Sequence, residues 1–173
     1  MRFTILAFIM ILAAALSRLI PHPPNFTPVA AMALVGGAYL DKRFAFIVPV
    51  AAMALSDWFI GFHSLMPFVY VSFLITGFIG LWLAERKKAI YVAAASFVSS
   101  LLFFVITNTG VWMLSTSLYP KTVEGLMTCY IAAIPFFRNS LLGDLVYTAM
   151  LFAVFEGITR WIQQQTVATM TES

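Results

Sequence analysis

The chain has little charge, little histidine and almost no cysteine. Charged residues make up 10% of its 173 residues, whereas soluble domains average roughly 25%. Its one cysteine, Cys129, excludes an intrachain disulfide and a cysteine-based metal cluster. The two histidines, His22 and His63, have no ligand-spaced partner and predict no metal site. The sequence also lacks a glycine-rich phosphate loop, a metalloprotease helix motif and a nucleophile elbow. We therefore expect no enzyme, no cofactor and no resident metal.

Apolar residues are abundant instead, at 62% of the chain, and they occur in long runs. A helix needs roughly 17–25 apolar residues to cross a bilayer core. The candidate spans are Phe3–Ile20, Pro28–Leu40, Phe44–Gly61, Phe68–Ala84, Ala89–Thr107 and Leu141–Ile162. The apolar segment Gly125–Phe137 is too short to cross and is assigned to the connection before the last span. We expect an all-α integral membrane protein with a six-helix transmembrane domain over residues 1–162 and a polar, frayed cytoplasmic tail over residues 163–173.

Lysine and arginine alternate between the gaps that separate these spans. One set of gaps contains Arg2, Lys42, Arg43, Arg86, Lys87, Lys88 and Arg160, and the alternate set contains only Arg18, Lys121 and Arg138. Cytoplasmic loops carry the excess of positive residues, so the pattern predicts both termini inside a multi-pass protein of the inner (cytoplasmic) membrane. The net charge of +3 then reflects topology and does not indicate nucleic-acid binding. A cleavable signal peptide over Met1–Ala15 is an alternative for the first span.

Polar side chains concentrate at the outer ends of these spans. Intramembrane charges are costly, so several in one layer predict a shared, outward-facing substrate cavity. The candidate substrate-binding residues are Arg18, His22, Asn25, Asp57, His63, Asn108, Trp112, Tyr119, Tyr130, Asn139 and Asp144. Arginine and asparagine would fix polar or anionic groups, and the aromatic residues would cover planar ones. Two structural alternatives stay open: Asp57 and Asp144 could each pair with Arg18 or Arg138, and Glu156 could pair with Arg160 along one helix.

Proline and glycine mark several local features. Thr27 could cap a helix whose first residue is Pro28, and Pro67 could open the fourth span in the same way. Gly36-Gly37 permits close helix contact. The proline-rich segment Leu16–Thr27 should be extended and stiff, which favours an ordered outer loop.

Three stretches carry a resemblance to a known group of proteins. They are Ser17–Pro28 with the alanine-rich helix that ends at Gly36-Gly37, Leu55–His63, and Cys129–Asp144. Together they resemble a family of small, uncharacterised transport proteins that is itself similar to the substrate-binding S components of energy-coupling factor (ECF) transporters. The resemblance covers most of residues 12–157.

The resemblance implies a fold and a function. S components are six-helix proteins with both termini inside that capture a vitamin or metal from outside. A transmembrane coupling protein and two ATPases then make them topple in the membrane. By resemblance, this chain is expected to be the substrate-binding membrane subunit of a small-solute importer. A non-transport accessory or scaffold subunit of a larger membrane complex is the alternative.

Overall fold

Six α-helices follow one another in the part of the chain that the structure describes. The computed structural model describes the backbone of residues 2–171 and the side chains of residues 4–161, 164 and 165. The helices are α1 (Arg2–Leu19), α2 (Val29–Tyr39), α3 (Phe44–Ile60), α4 (Met66–Leu83), α5 (Ala89–Leu114) and α6 (Val123–Thr171). The all-helical prediction is confirmed, and the first four helices begin and end within two residues of the predicted spans.

Three of the described helices are long and apolar enough to cross a membrane. They are Met66–Leu83, Ala89–Leu114 and the Val123–Trp161 part of α6. The apolar parts of the first three helices are shorter, at 10–17 residues. α2 has 11 residues, or about 16 Å of helix, against a hydrocarbon core of about 30 Å. Length and composition therefore indicate a membrane protein, and six crossings stay a prediction.

α6 is much longer than the sequence predicted. The prediction that Gly125–Phe137 belongs to a connection is wrong, because α6 runs through it and contains Pro135 in its interior. A proline removes one backbone hydrogen bond and does not end a helix that neighbouring packing supports. The expected frayed tail is helical as far as Thr171. Met1, Glu172 and Ser173 lie outside the described residues, as does the side chain of Arg2, which the charge count used.

α2 forms the centre of the bundle. Every residue from 29 to 38 is buried, and the helix packs against α3, α4, α5 and α6. Small residues make this position possible, because a Cβ added at Gly37 would lie 2.5 Å from the carbonyl carbon of Gly80 in α4. The predicted close contact at Gly36-Gly37 is confirmed. A short helix in this position is covered by protein on all sides, so its length is not set by the bilayer.

Proline marks the starts of two helices. Pro67 lies in the first turn of α4, as predicted. α2 begins at Val29 with Pro28 in the cap position and has no side-chain cap, so the predicted cap by Thr27 is wrong. The constraint that proline places on φ is enough to start a helix that tertiary packing then holds.

Two ends of the bundle differ in their polar contacts. At one end, Tyr39 donates a hydrogen bond of 3.0 Å to Glu156, whose other carboxylate oxygen accepts one of 3.1 Å from Arg160. The predicted Glu156–Arg160 helix pair is therefore confirmed. At the opposite end, which we call the Arg18 end, Arg18 of α1 contacts Asp57 of α3. The Arg18 end contains the candidate site.

Candidate binding site

A cavity of about 520 Å³ lies at the Arg18 end of the bundle. Side chains from all six helices and from the connecting segments between them line it. Its polar lining residues are Arg18, His22, Asn25, Thr27, His63, Thr76, Thr107, Asn108, Tyr119, Ser140 and Asp144. His22, Asn25 and His63 are exposed, whereas Asp144 is buried, so the cavity extends from the surface into the interior. Its size suits a small-molecule ligand.

The structure brings seven of the eleven sequence-predicted site residues together around this cavity. These are Arg18, His22, Asn25, His63, Asn108, Tyr119 and Asp144. The other four, Asp57, Trp112, Tyr130 and Asn139, do not line it. Sequence position placed all eleven at one end of the bundle, but it did not show which face of each helix points inward.

Asp57 lies behind Arg18 and has no exposed surface. The Arg18 Nη1 atom is 2.7 Å from Asp57 Oδ1, and the Tyr70 hydroxyl donates a 3.0 Å hydrogen bond to Oδ2. Nη1 also donates to the Ser56 hydroxyl and to the Met53 carbonyl oxygen. The structural alternative for Asp57, a pair with Arg18, is thus what the structure shows. The pair joins α1 to α3 and neutralises the one arginine that lines the cavity.

Unlike Asp57, Asp144 has no cation partner among the described side chains. The residue is 6% exposed and lines the cavity. Ser100 of α5 donates a 2.6 Å hydrogen bond to Oδ2, and Oδ1 accepts none from the side chains that the structure describes. Arg138, its other predicted partner, is exposed. The alternative in which an arginine pairs with Asp144 is therefore wrong.

Tyr130 joins α5 to α6 and does not face the cavity. Its hydroxyl lies 2.7 Å from the Thr109 hydroxyl and donates to the Val105 carbonyl oxygen at 3.3 Å. Beside it, the Cys129 thiol donates to the Asn108 carbonyl oxygen at 3.5 Å. These contacts explain why α6 begins its packing on the last turns of α5.

Trp112 belongs to the end of α5. Its indole Nε1 donates a 2.8 Å hydrogen bond to the Pro120 carbonyl oxygen. The Lys121 ammonium group donates to the carbonyl oxygens of Trp112 and Met113 and lies 5.4 Å from the Trp112 ring. A basic side chain on the last carbonyls of a helix is a common C-terminal arrangement. Asn139 is half-buried and takes no part in the lining.

Sequence reasoning missed the aromatic walls and several hydroxyls of the cavity. Five phenylalanines line it: Phe73, Phe103, Phe104, Phe136 and Phe137. The site predicted from the sequence included no phenylalanine. The hydroxyl of Ser140 could have been found, because it lies four residues before Asp144 and therefore on the same face of α6.

The segment between α1 and α2 covers part of the cavity in a defined conformation. Asn25 has a φ of 63° and is the only non-glycine residue of the described chain with a positive φ. Asparagine adopts this left-handed region more readily than most residues. Phe26 then packs on α6, with its ring 5.5 Å from that of Tyr147 and its side chain near Gly143. This docking places His22 and Asn25 at the cavity. The prediction that Leu16–Thr27 is extended is wrong for its first four residues, because α1 continues to Leu19.

A second cavity of about 550 Å³ lies at the opposite end, between α5 and α6. Alanine and other apolar residues form most of its lining, together with Lys87, Tyr39 and Glu156. Glu156 already pairs with Arg160, and the Lys87 ammonium lies over the Tyr39 ring at 4.2 Å. The Ser96 and Thr148 hydroxyls in its lining have no hydrogen-bond partner within the part of the chain that the structure describes. The first cavity has more polar groups, among them the buried carboxylate of Asp144 with no cation partner among the described side chains, so the first cavity is the candidate site.

No group of three histidine, cysteine, aspartate or glutamate side chains among the described residues could hold a metal ion. The lining of the first cavity consists of hydrogen-bonding groups, one buried carboxylate and aromatic surface. Comparison with curated proteins found no match, and neither did comparison with solved structures. A family model matches residues 1–167, and the chain therefore belongs to DUF6580, a family of unknown function.

Proposed function

We propose that this chain is the substrate-binding membrane subunit of a small-solute importer, with the cavity at the Arg18 end as its site. The observation that carries the proposal is the convergence of polar side chains from several helices on one 520 Å³ cavity inside an otherwise apolar bundle. Polar groups inside a membrane protein are costly unless they serve a function or pair with one another. The sequence resemblance to a transport family that is similar to S components implies the same function, and we include it in the proposal.

The proposal includes six crossings, with both termini in the cytoplasm. α1 and α3 have 18 and 17 residues, which correspond to about 27 and 25 Å of helix and come close to the bilayer core. α2 is surrounded by protein and need not match the bilayer. With this orientation, Arg18 and the cavity face outward and most lysines and arginines lie inside, as expected for a multi-pass protein of the inner membrane.

Cysteine labelling tests this topology. In a Cys129→Ala background, Ser64→Cys should react with a membrane-impermeant thiol reagent in intact cells, because Ser64 is exposed between α3 and α4 on the outer side. Ser173→Cys should react only after the membrane is opened. Labelling of Ser173→Cys in intact cells would contradict the proposed orientation.

The subunit is proposed to act without catalysis. It carries no phosphate-binding loop, so a transmembrane coupling protein and ATPases would supply the energy for release of the solute. What this chain does itself is bind: the exposed residues of the cavity admit the solute, and the buried ones hold it.

Small molecules that co-purify with the protein test the function. Ala132 lines the cavity, so Ala132→Trp should fill part of it. Mass spectrometry should recover a compound with the wild-type protein and not with Ala132→Trp. Ala94→Trp is the matched control, because Ala94 is an exposed residue of α5 that lines neither cavity. Equal recovery from both variants, or no compound from the wild-type protein, would contradict the proposal.

The direct Arg18–Asp57 pair favours the second candidate, an accessory subunit of a larger membrane complex. A scaffold closes its polar layer with such pairs, and this one binds α1 to α3 at 2.7 Å. That function predicts a stable protein partner and no co-purifying compound, so the same purification distinguishes the two candidates. The accessory function is the second candidate because Asp144 has no cation partner among the described side chains, which a closed scaffold would supply.

A further inference from the structure

We propose that the cavity binds a small organic cation, an ammonium or protonated N–H group on an apolar body, and that Asp144 receives its charged end. This inference rests on the proposed function of the cavity as a substrate site. Asp144 is 6% exposed and lines the cavity. Among the described side chains, it accepts a single hydrogen bond, from Ser100.

A carboxylate can accept about four hydrogen bonds, two on each oxygen. Ser100 supplies one, on Oδ2. Oδ1 accepts none from the described side chains, and the residue lines the cavity. A buried charge without a partner is strongly unfavourable, and a cation with good hydrogen-bond geometry offsets much of that cost. The protein provides a position for such a cation without filling it, which is the arrangement expected of a ligand site.

The other charged groups of the cavity do not favour an anion. Arg18 is already paired with Asp57, which has no exposed surface. Among the described residues, Arg18 donates three hydrogen bonds. All three come from Nη1, and their acceptors all belong to α3. His22 and His63 are exposed at the mouth. The one arginine that lines the cavity is therefore neutralised, and an anionic solute would also meet the buried carboxylate of Asp144.

The walls suit the apolar body of such a cation. Phe73 and Phe103 pack with ring centroids 5.4 Å apart, and Phe104 and Phe137 pack at 4.8 Å. All four line the cavity. Aromatic faces attract cations and bind planar or aliphatic groups, so they would hold the rest of the ligand while Asp144 fixes its charged end.

Three indole compounds of similar shape and different charge test the inference. Tryptamine carries an ammonium group, tryptophol a hydroxyl and indole-3-acetate a carboxylate. Each is titrated against the purified full-length protein in detergent at neutral pH, with the thermal midpoint as the readout, because a ligand that binds the folded state raises it. Tryptamine should raise the midpoint, and the other two should not.

Variants then assign the effect to Asp144. Asp144→Asn should weaken tryptamine binding by about tenfold or more, since it replaces a charge-assisted hydrogen bond with a weaker neutral one. Asp144→Glu keeps the charge and should keep the preference for tryptamine. Asp41→Asn is the matched control: it makes the same acid-to-amide change at an exposed surface position and should leave binding unchanged.

Each other outcome overturns the inference. Protection by tryptophol or indole-3-acetate equal to that by tryptamine would show that charge is not recognised, and would leave the cavity as a site. Unchanged tryptamine affinity in Asp144→Asn would remove Asp144 from recognition. If no probe raises the midpoint, the cation class is wrong, and the co-purification experiment with Ala132→Trp still decides the proposed function separately. If Asp144→Asn does not fold, the probe series on the wild-type protein and on Asp144→Glu decides whether the cation is recognised.

Discussion

Asp57→Asn should lower the free energy of unfolding by about 3–5 kcal/mol, the usual cost of removing one partner from a buried ion pair. Asp57 is completely buried and the Arg18 side chain is 16% exposed, so the substitution would leave a largely buried guanidinium group without its carboxylate. Arg18 would keep its charge beside an amide, and Tyr70 would lose a charged acceptor. Chemical denaturation of the protein in detergent micelles, followed by tryptophan fluorescence, measures the change.

A matched pair of variants separates this effect from a general cost of the substitution. Asp41→Asn removes an exposed carboxylate whose partner, Arg43, is 3.7 Å away, and such surface pairs contribute about 0–1 kcal/mol. Asp57→Asn combined with Arg18→Met removes both buried charges and should recover part of the loss. If Asp57→Asn and Asp41→Asn destabilise equally, the Arg18–Asp57 pair is not a stabilising element of the bundle.

Local sequence signals predicted the parts of the fold that depend on short segments. Runs of apolar residues between charged gaps placed α1 to α4 within two residues of their observed ends. The glycine pair in α2 predicted a close helix contact, and only the structure identified Gly80 of α4 as the contacting residue. These features depend on composition and spacing, which a single chain displays directly.

Features that depend on several helices at once could not be predicted in the same way. Pro135 lies inside α6, and only packing against neighbouring helices determines whether a proline ends a helix or is carried within it. Asp57 and Asp144 have similar positions in the sequence pattern, yet one is paired with Arg18 and the other bonds to Ser100. Their difference comes from the rotation of each helix about its axis. The sequence does not reveal this rotation, because apolar residues occur on all faces of these helices and leave no clear periodicity.

Rotation also explains the mixed outcome for the candidate site residues. Asn108 and Tyr130 both lie near the Arg18 end of the bundle, but Asn108 lines the cavity and Tyr130 bonds to Thr109 at the contact between α5 and α6. Depth in the bundle was readable from the sequence, whereas the facing direction was not. The sequence therefore predicted which end of the bundle contains the polar residues better than it predicted which of them line the cavity.

Gly37→Ala should destabilise the bundle by an amount at or above the upper end of the usual range of about 1–3 kcal/mol for overpacking. The added Cβ would lie 2.5 Å from both the carbonyl carbon of Gly80 and the amide nitrogen of Leu81. These are backbone atoms, so α2 and α4 would have to move apart. Because α2 is buried on every side, that movement would disturb its contacts with the other helices as well.

The thermal midpoint and the yield of monodisperse protein in detergent measure this effect. Gly157→Ala is the matched control, since a Cβ at Gly157 meets nothing within 4 Å, and alanine in a helix is favourable by about 1 kcal/mol relative to glycine. Gly80→Ala introduces the clash from the other side, 2.8 Å from the carbonyl oxygens of Ala33 and Leu34. Once one substitution has separated the helices, the second should cost less, so the double variant should be less destabilised than the sum of the two single variants. A Gly37→Ala protein as stable as Gly157→Ala would show that α2 and α4 do not approach this closely, and the central position of α2 would have to be revised.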